Sequence, residues 1–337
     1  MTDTLLQYPS FARLYRAFPY EECAQSFTDF IRGDRNAKLL RFLYQDDFIE
    51  SGMELWDDAL GAENPYYIFP NEADLLDRVA GEIAQIVQTG LPYLELGVGS
   101  NAAVEKKTKP LIRAIKPQKV VVNDLSYTSV TTAKKMLLRQ FPGLDVKACE
   151  ADFLDPRSAV YSHYPANIVM TGSIVSNLAS YNGHIPVNEA ADFLRTISRL
   201  MGEEGSLIIT QDTNNDESSL KAAYNTPQLQ RFREAALWRI KAYLNIPSFD
   251  PEALRHEMVW EPESRLLADT FVNMKDQFVH LGRDVIHIPK GRRLYLANCY
   301  KYPVNDFVHI SHLAGLRTIK TWMDAEGRVA LHVLKTA

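Results

Sequence analysis

From residue 71 to residue 212 short apolar runs alternate with helical repeats. Leu75, Leu76, Val79, Ile83 and Ile86 recur at helical spacing and predict a helix over roughly 71–88. Leu91 to Leu96 reads as a short strand that runs into Gly97-Val98-Gly99-Ser100. A helix over roughly 104–115, a strand from Lys119 to Asn123 ending on Asp124, and a helix over roughly 127–140 come next. Strands follow at Asp145 to Cys149 and Asn167 to Thr171. Helix 186–201 places Phe193, Leu194, Ile197, Leu200 and Met201 on one face, and Gly205 opens a fifth strand, Ser206 to Thr210, that ends at Asp212. Strands this short and this apolar, separated by helices, predict a parallel sheet covered on both faces.

The flanks break that rhythm. Residues 10–63 read as mainly helical and aromatic-rich, and two prolines bracket a predicted loop from Asn64 to Asn71. Residues 213–300 hold a helical part (roughly 226–242), a connection bounded by Pro247 and Pro251, and alternating segments such as Arg265 to Met274 and Arg292 to Tyr300. That pattern predicts an antiparallel insertion. A helix (roughly 304–314), Gly315, a strand over 317–323, a turn at Asp324 to Gly327 and a strand over 328–334 close the chain. Nucleotide-binding folds with only parallel strands do not end on such a hairpin.

Composition narrows the partners. A length of 337 residues predicts two domains, or one with a large insertion. A net charge of -5, from 37 basic and 42 acidic residues, gives no electrostatic reason to expect nucleic acid. The densest basic run, Lys106-Lys107-Thr108-Lys109, is too short to track a strand. Cys23, Cys149 and Cys299 lack metal or disulfide spacing, so neither a zinc site nor a disulfide framework is expected. Neither a secretory signal nor a membrane-length apolar run is visible, and the expectation is a cytoplasmic protein with no membrane partner.

The candidate chemistry sits at the predicted strand ends. Glu95-Leu96-Gly97-Val98-Gly99-Ser100 follows the first strand, where glycines let backbone approach a nucleoside closely. Asp124-Leu125 ends the second, where an acid can accept from ribose hydroxyls. Asp152 and Phe153 follow the third, an acid for an exocyclic amine and a ring for a base face. NAD is the competing ligand, but its fingerprint wants a third glycine where Ala102 stands. With the terminal hairpin, these sites predict a Class I (Rossmann-like) methyltransferase sheet with one antiparallel edge strand, an α/β fold. After the fourth strand comes Thr171-Gly172-Ser173-Ile174-Val175-Ser176-Asn177-Leu178, where such a fold sets the acceptor against the methyl donor. Asn177 offers both a donor and an acceptor to an amino acid, or else caps a helix.

Residues 171–178, Asp212 with Ala223-Tyr224, Cys299-Tyr300-Lys301-Tyr302, Ala314-Gly315-Leu316 and Lys320-Thr321-Trp322 together resemble the histidine-specific methyltransferase family. The likeness runs from about Leu43 to the C-terminus. It includes histidine Nα-methyltransferases and, as a further relative, dimethylallyltryptophan N-methyltransferases. It implies S-adenosylmethionine bound at a donor site of Gly97, Gly99, Ser100, Asp124, Leu125, Asp152 and Phe153. It implies a second, α+β substrate domain from residues 1–70 and 213–302, closing over a donor domain of residues 71–212 and 303–337. Tyr44 and Tyr66 match substrate-facing tyrosines, Trp56 an aromatic wall, and Asn177 with Tyr224 the holders of the amino and carboxylate end, beside Gly172. Tyr44 and Asn177 are the candidate catalytic residues, and no metal is implied.

One departure bears on specificity. The family's histidine enzymes grip imidazole with an acid and a serine, and Ala297 and Cys299 stand in those places. An imidazole N–H without its acceptor loses about 1–3 kcal/mol. Arg292 and Arg293 replace acids just upstream, and Tyr224-Asn225-Thr226 replaces Tyr-Asp-Asp. The expected reaction is N-methylation of a small aromatic amine or amino acid, indolic in type. The alternatives are a histidine Nα-methyltransferase with a rebuilt pocket and a non-catalytic S-adenosylmethionine-binding protein. His256, His287, His309, His312 and His332 read as structural or surface residues.

Overall fold

In the computed structural model, which describes residues 19–37, 39, 42–44, 52–61, 65–155 and 157–337, the predicted alternation becomes a doubly covered sheet. The parts of the predicted 10–63 stretch at 10–18, 38, 40–41, 45–51 and 62–63, and Asn64 of the predicted loop, lie outside the described residues. The first five strands are β1 (Tyr93–Leu96), β2 (Lys119–Asp124), β3 (Asp145–Glu150), β4 (Asn167–Met170) and β5 (Leu207–Asp212). Then come β6 (Leu254–Glu261), β7 (Leu266–Asn273), β8 (Gln277–Leu281), β9 (Asp284–Ile288) and β10 (Arg293–Tyr300), before the final β11 (Leu316–Met323) and β12 (Val329–Thr336).

The helices are α1 (Tyr20–Arg32), α2 (Gly52–Ala59), α3 (Ile68–Ile86), α4 (101–115), α5 (Tyr127–Gln140), α6 (Val187–Met201), α7 (Glu217–Tyr224), α8 (Pro227–Leu244) and α9 (Val304–Leu313). α4 is not uniform. A π turn, Val104–Thr108, interrupts it.

Seven strands make one sheet in the order β11-β12-β5-β4-β1-β2-β3. β1 pairs in parallel with β2 and β4, with Leu94 opposite Val121 and Ile168. Side chains alternate between the two faces. Val120 and Val122 enter the core beneath α3, α4 and α5, while Val121 enters the core beneath α6 and α9. The terminal hairpin is present, but its antiparallel strand is not at the edge. β12 runs antiparallel between β5 and β11, and β11 forms the border. Burial accounts for the placement: Val329 to Leu334 are all buried, whereas β11 carries Arg317 and Lys320, which suit an open edge.

The inserted strands build a separate antiparallel sheet, β10-β7-β6, beside the hairpin β8–β9. α1 and α8 pack against it through Phe27, Phe30, Leu237, Phe249, Phe271 and Leu294. Two local expectations shift. α3 begins at Ile68, inside the predicted loop, because Pro70 falls in the first turn, where its missing N–H needs no partner. α7 is an added helix, started by Asp216 accepting from Ser219 N at 2.6 Å; it has only 8 residues, too few for a clear repeat.

The two sheets meet at a buried ion pair. Lys301, just past β10, donates to Asp212 Oδ2 at the end of β5 (2.5 Å) and to the Tyr224 hydroxyl (2.7 Å). Both charged side chains are fully buried. Burial alone would lower the Lys301 pKa; the Asp212 carboxylate and the Cys299 sulfur together outweigh it and hold the ammonium above its ordinary value. Lys301→Met strands that carboxylate, and the expected cost is about 3–5 kcal/mol. Urea denaturation checks this as a lower midpoint with an unchanged slope. A loss below about 1 kcal/mol would show that the pair does not bind the sheets together.

Candidate active site

The carboxyl ends of β1, β2, β3 and β4 open onto a cavity of about 400 Å³. Its floor is the strand-end loops. Gly97 and Gly99 hold φ of 74° and 69°, in the left-handed region that glycine adopts freely. A Cβ at Gly97 would lie 2.5 Å from Ile174 Cδ1, the movable end of that side chain, so the positive φ is the stronger demand for glycine there. Asp124 is aimed by its own backbone neighbours: Oδ2 accepts from Gly99 N and Oδ1 from Ser126 N, each at 3.0 Å. The carboxylate lines the cavity, where its oxygens are suited to accept from a vicinal diol. Asp152, whose Oδ1 accepts from Leu154 N at 2.8 Å, lines the cavity with Phe153 and Leu125. A glycine cradle, an acid for a diol and an acid–ring pair, in that order, fit an adenosyl group.

The opposite wall is aromatic. Tyr44, Trp56 and Tyr66 all line the cavity, in a chain of edge-on contacts with ring centroids 5.9 Å (Tyr44–Trp56) and 5.6 Å (Trp56–Tyr66) apart. Gly172 and Asn177 approach from the loop after β4, and Ala297 from β10, where the strand register slips between Tyr295 and Ala297. Burial pushes the pKa of both Tyr44 and Tyr66 well up, so both phenols stay protonated at neutral pH.

Other expected site residues lie elsewhere. Ser100 does not line the cavity; its hydroxyl caps the following helix, accepting from Ala103 N at 3.2 Å. Tyr224 sits one layer behind Tyr66, at 5.3 Å between centroids, and its hydroxyl donates to Asp212 Oδ2 at 3.2 Å. Cys299 faces Lys301 Nζ at 3.2 Å and is likewise outside the lining. Tyr67 donates to Asp212 Oδ1, and Tyr300 to the Ser180 carbonyl. Arg293 pairs with Glu257 and Arg292 reaches the Arg32 carbonyl, so neither enters the cavity.

Sequence reasoning passed over Glu72 and Lys107, which both line the cavity and pair at 3.2 Å. Glu72 shares the buried face of α3 with Leu75, Leu76 and Val79. An acid at an apolar-face position was the available signal. Lys107 is turned inward in the π turn, which no spacing rule reveals. Glu95 is a buried residue of β1. It accepts from Thr108 Oγ1 (3.0 Å) and the Tyr93 hydroxyl (3.1 Å).

A family model for histidine-specific, S-adenosylmethionine-dependent methyltransferases matches residues 34–336. The chain belongs to that family. It is similar to the N-methyltransferase imqF of Aspergillus flavus, 21% identical over 82% of this chain and 76% of that protein. It is 23% identical to the histidine N-alpha-methyltransferase of Mycolicibacterium smegmatis, over 83% of this chain and 85% of that one. It is 25% identical to the 4-dimethylallyltryptophan N-methyltransferase easF of Trichophyton verrucosum, over 84% and 86%. The protein is an S-adenosylmethionine-dependent N-methyltransferase of the Class I fold. Among the described residues, no helix is long and apolar enough to cross a membrane.

Glu95 gives the methyltransferase a pH signature. Burial raises its pKa from 4.5 to about 7 against the pull of its two hydroxyl donors. An acid raised in the folded state contributes stability that is fully present below pH 4.5 and lost as pH rises through about 7. Glu95→Gln keeps an acceptor and removes the titration. Relative to that variant, the wild type is expected to lose about 3 kcal/mol between pH 4.5 and 8 in denaturation experiments. Parallel pH profiles would contradict the assignment.

Proposed function

We propose that the methyltransferase carries a methyl group to the amino nitrogen of a small, flat aromatic amine or amino acid of indolic type. The supporting observation is the acceptor wall: Tyr44, Trp56 and Tyr66 stand in the same cavity as the glycine loop, with Ala297 supplying a methyl where the histidine enzymes carry an acid. A wall of rings and a small apolar residue favours a large planar group over a polar imidazole. In this reading residues 1–70 and 213–302 furnish the acceptor wall, and residues 71–212 and 303–337 the donor floor.

On the donor side, Gly97 and Gly99 admit the nucleoside to the backbone. Asp124 takes the ribose hydroxyls, with Leu125 beside it, and Asp152 with Phe153 reads the adenine. S-adenosylmethionine supplies, when bound, a methyl already activated on a sulfonium. What remains for the chain is positioning and desolvation. Glu72, Asp124 and Asp152 outnumber Lys107 among the charged lining residues, a balance that favours a cationic ligand. Asn177 and Gly172 hold the acceptor's amine end. Tyr44 and Tyr66, as neutral phenols, orient the nitrogen lone pair and hand its proton outward to water instead of removing it as bases. Tyr224, behind Tyr66, steadies that ring and acts on an acceptor carboxylate only through it.

Turnover with tryptamine, tryptophan and histidine, followed as S-adenosylhomocysteine release, tests the proposal. The expected kcat/KM for the better indolic acceptor exceeds that for histidine by about tenfold or more. Ala297→Glu puts a charge against the indole face and is expected to cost the indolic acceptor about 10- to 100-fold while sparing histidine. A wild-type preference for histidine would overturn the indolic reading and leave the methyltransferase intact.

A further inference from the structure

Asn36, Ala37 and Ser180 line the cavity together with Ala297 and Asn298 of β10. Asn36 and Ser180 are also solvent-exposed, so the acceptor end of the cavity opens between them. Contacts join the two segments across this mouth. Arg35 places its guanidinium 3.4 Å from the centroid of the Tyr181 ring and 4.6 Å from that of Tyr295, and it pairs with Glu261 at the end of β6. Asn36 grips the Tyr181 backbone: its Oδ1 accepts from the N–H at 2.6 Å and its Nδ2 donates to the carbonyl at 3.3 Å. Asn298 Nδ2 donates to the Arg35 carbonyl at 2.9 Å.

The two sides of the mouth differ in how firmly they are held. Next to Tyr181, the Ser180 carbonyl accepts from the Tyr300 hydroxyl at 3.1 Å, and the Ser180 N–H donates to Glu189 at 2.7 Å. Tyr181 is thereby tied to β10 and α6. On the other side, Phe30 and Ile31 sit in the core ahead of the segment and Leu39 sits in it beyond, yet no residue from 32 to 37 is buried. Gly33 ends α1 with a φ of 80°, in the left-handed region, and Arg292 donates to the Arg32 carbonyl at 3.2 Å. A stretch anchored at both ends, with no apolar seal between them, can open locally while both sheets stay folded. Its contacts are of the kind that break readily. The Arg35 and Glu261 side chains are 21% and 26% exposed, and ion pairs at such exposure are weak and screened by salt.

We propose that residues 33–37 are a strap across the acceptor mouth, with Arg35 as its latch and Tyr181 as its catch, and that acceptor and methylated product pass only when the latch opens. This rests on the reading that sets the acceptor between Asn177 and Ala297. Tyr181 continues the loop that bears Asn177, and Asn298 adjoins Ala297, so the strap closes onto both acceptor contacts. Closed, it keeps water from the acceptor ring and retains the product until it reopens. A guanidinium on two rings and one carboxylate, at this exposure, favours the closed strap by a factor of about 5 to 30.

The test is acrylamide quenching of Trp56, a ring of the cavity wall, in the protein saturated with S-adenosylhomocysteine. For each protein a Trp56→Phe counterpart supplies the contribution of Trp238, Trp260 and Trp322, which is subtracted. Arg35→Ala is expected to raise the Trp56 quenching constant about threefold or more, and Tyr181→Ala, which removes the catch instead, to do the same. Arg35→Lys keeps the charge without the plane and is expected to fall between. Raising salt from about 0.05 to about 0.5 M is expected to increase Trp56 quenching in the unaltered protein and to leave Arg35→Ala as it was. Calorimetric affinity for S-adenosylhomocysteine should be unchanged throughout. Unchanged Trp56 quenching in Arg35→Ala and Tyr181→Ala would overturn the strap. Equal rises for the other tryptophans, with a lower urea midpoint, would overturn it too, by showing that these contacts hold the fold and not the mouth. Weaker S-adenosylhomocysteine binding in Arg35→Ala would overturn it by assigning the segment to the donor site. The readout contains no acceptor, so a turnover experiment that rejects indolic acceptors is a separate result.

Discussion

The structure turns on how charge is buried where two sheets meet. The carboxyl ends of β4 and β5 must be covered by the inserted sheet, yet they carry Asp212, Thr210 and the amides of the loop after β4. Lys301 neutralises Asp212, while Tyr67 and Tyr224 satisfy the rest of its carboxylate. The same carboxylate's backbone amide donates to Ser173 Oγ at 2.8 Å, which draws in the loop bearing Gly172 and Asn177. Ser173 holds a φ of 54° there, a conformation that costs a non-glycine residue energy and that its surroundings sustain. Acceptor loop, aromatic wall and sheet junction are thus one connected arrangement.

Much of the frame was legible from apolar spacing. β1, β2, β4 and β5 follow from runs such as Val120 to Val122 and Leu207 to Ile209, because a strand buried on both faces has to be apolar throughout, whereas β3, at the sheet border, is exposed at four of its six positions. Spacing carried less where tertiary structure decides. The site of β12 within the sheet depends on comparing its burial with that of β11, and a periodicity gives each strand no rank. α7 is short and polar, and the π turn in α4 is a local insertion that leaves no mark on composition.

The candidate site divides in the same way. Residues tied to strand ends, from Gly97 through Asp124 to Phe153 and Asn177, were readable because the fold fixes where strand ends point. Tyr44, Trp56, Tyr66 and Ala297 came from resemblance, and the cavity brings them together. Ser100, Tyr224 and Cys299 lie outside the lining because nearer partners claim them: a helix amide for Ser100, the Asp212–Lys301 pair for the other two. Glu72 was hidden in plain view, an acid on an apolar helix face whose partners lie far away in sequence.

The division of labour that results is simple. A polar floor with three carboxylates and one ammonium faces a wall of three rings and a methyl, and the loop after β4 sits between them. The floor is suited to a cationic nucleoside donor and the wall to a flat acceptor. The most direct test is calorimetric titration of the S-adenosylhomocysteine-saturated protein with tryptamine, tryptophan and histidine. The account predicts saturable binding of an indolic ligand and a weaker or absent signal for histidine. Histidine binding more tightly than either indole would contradict it.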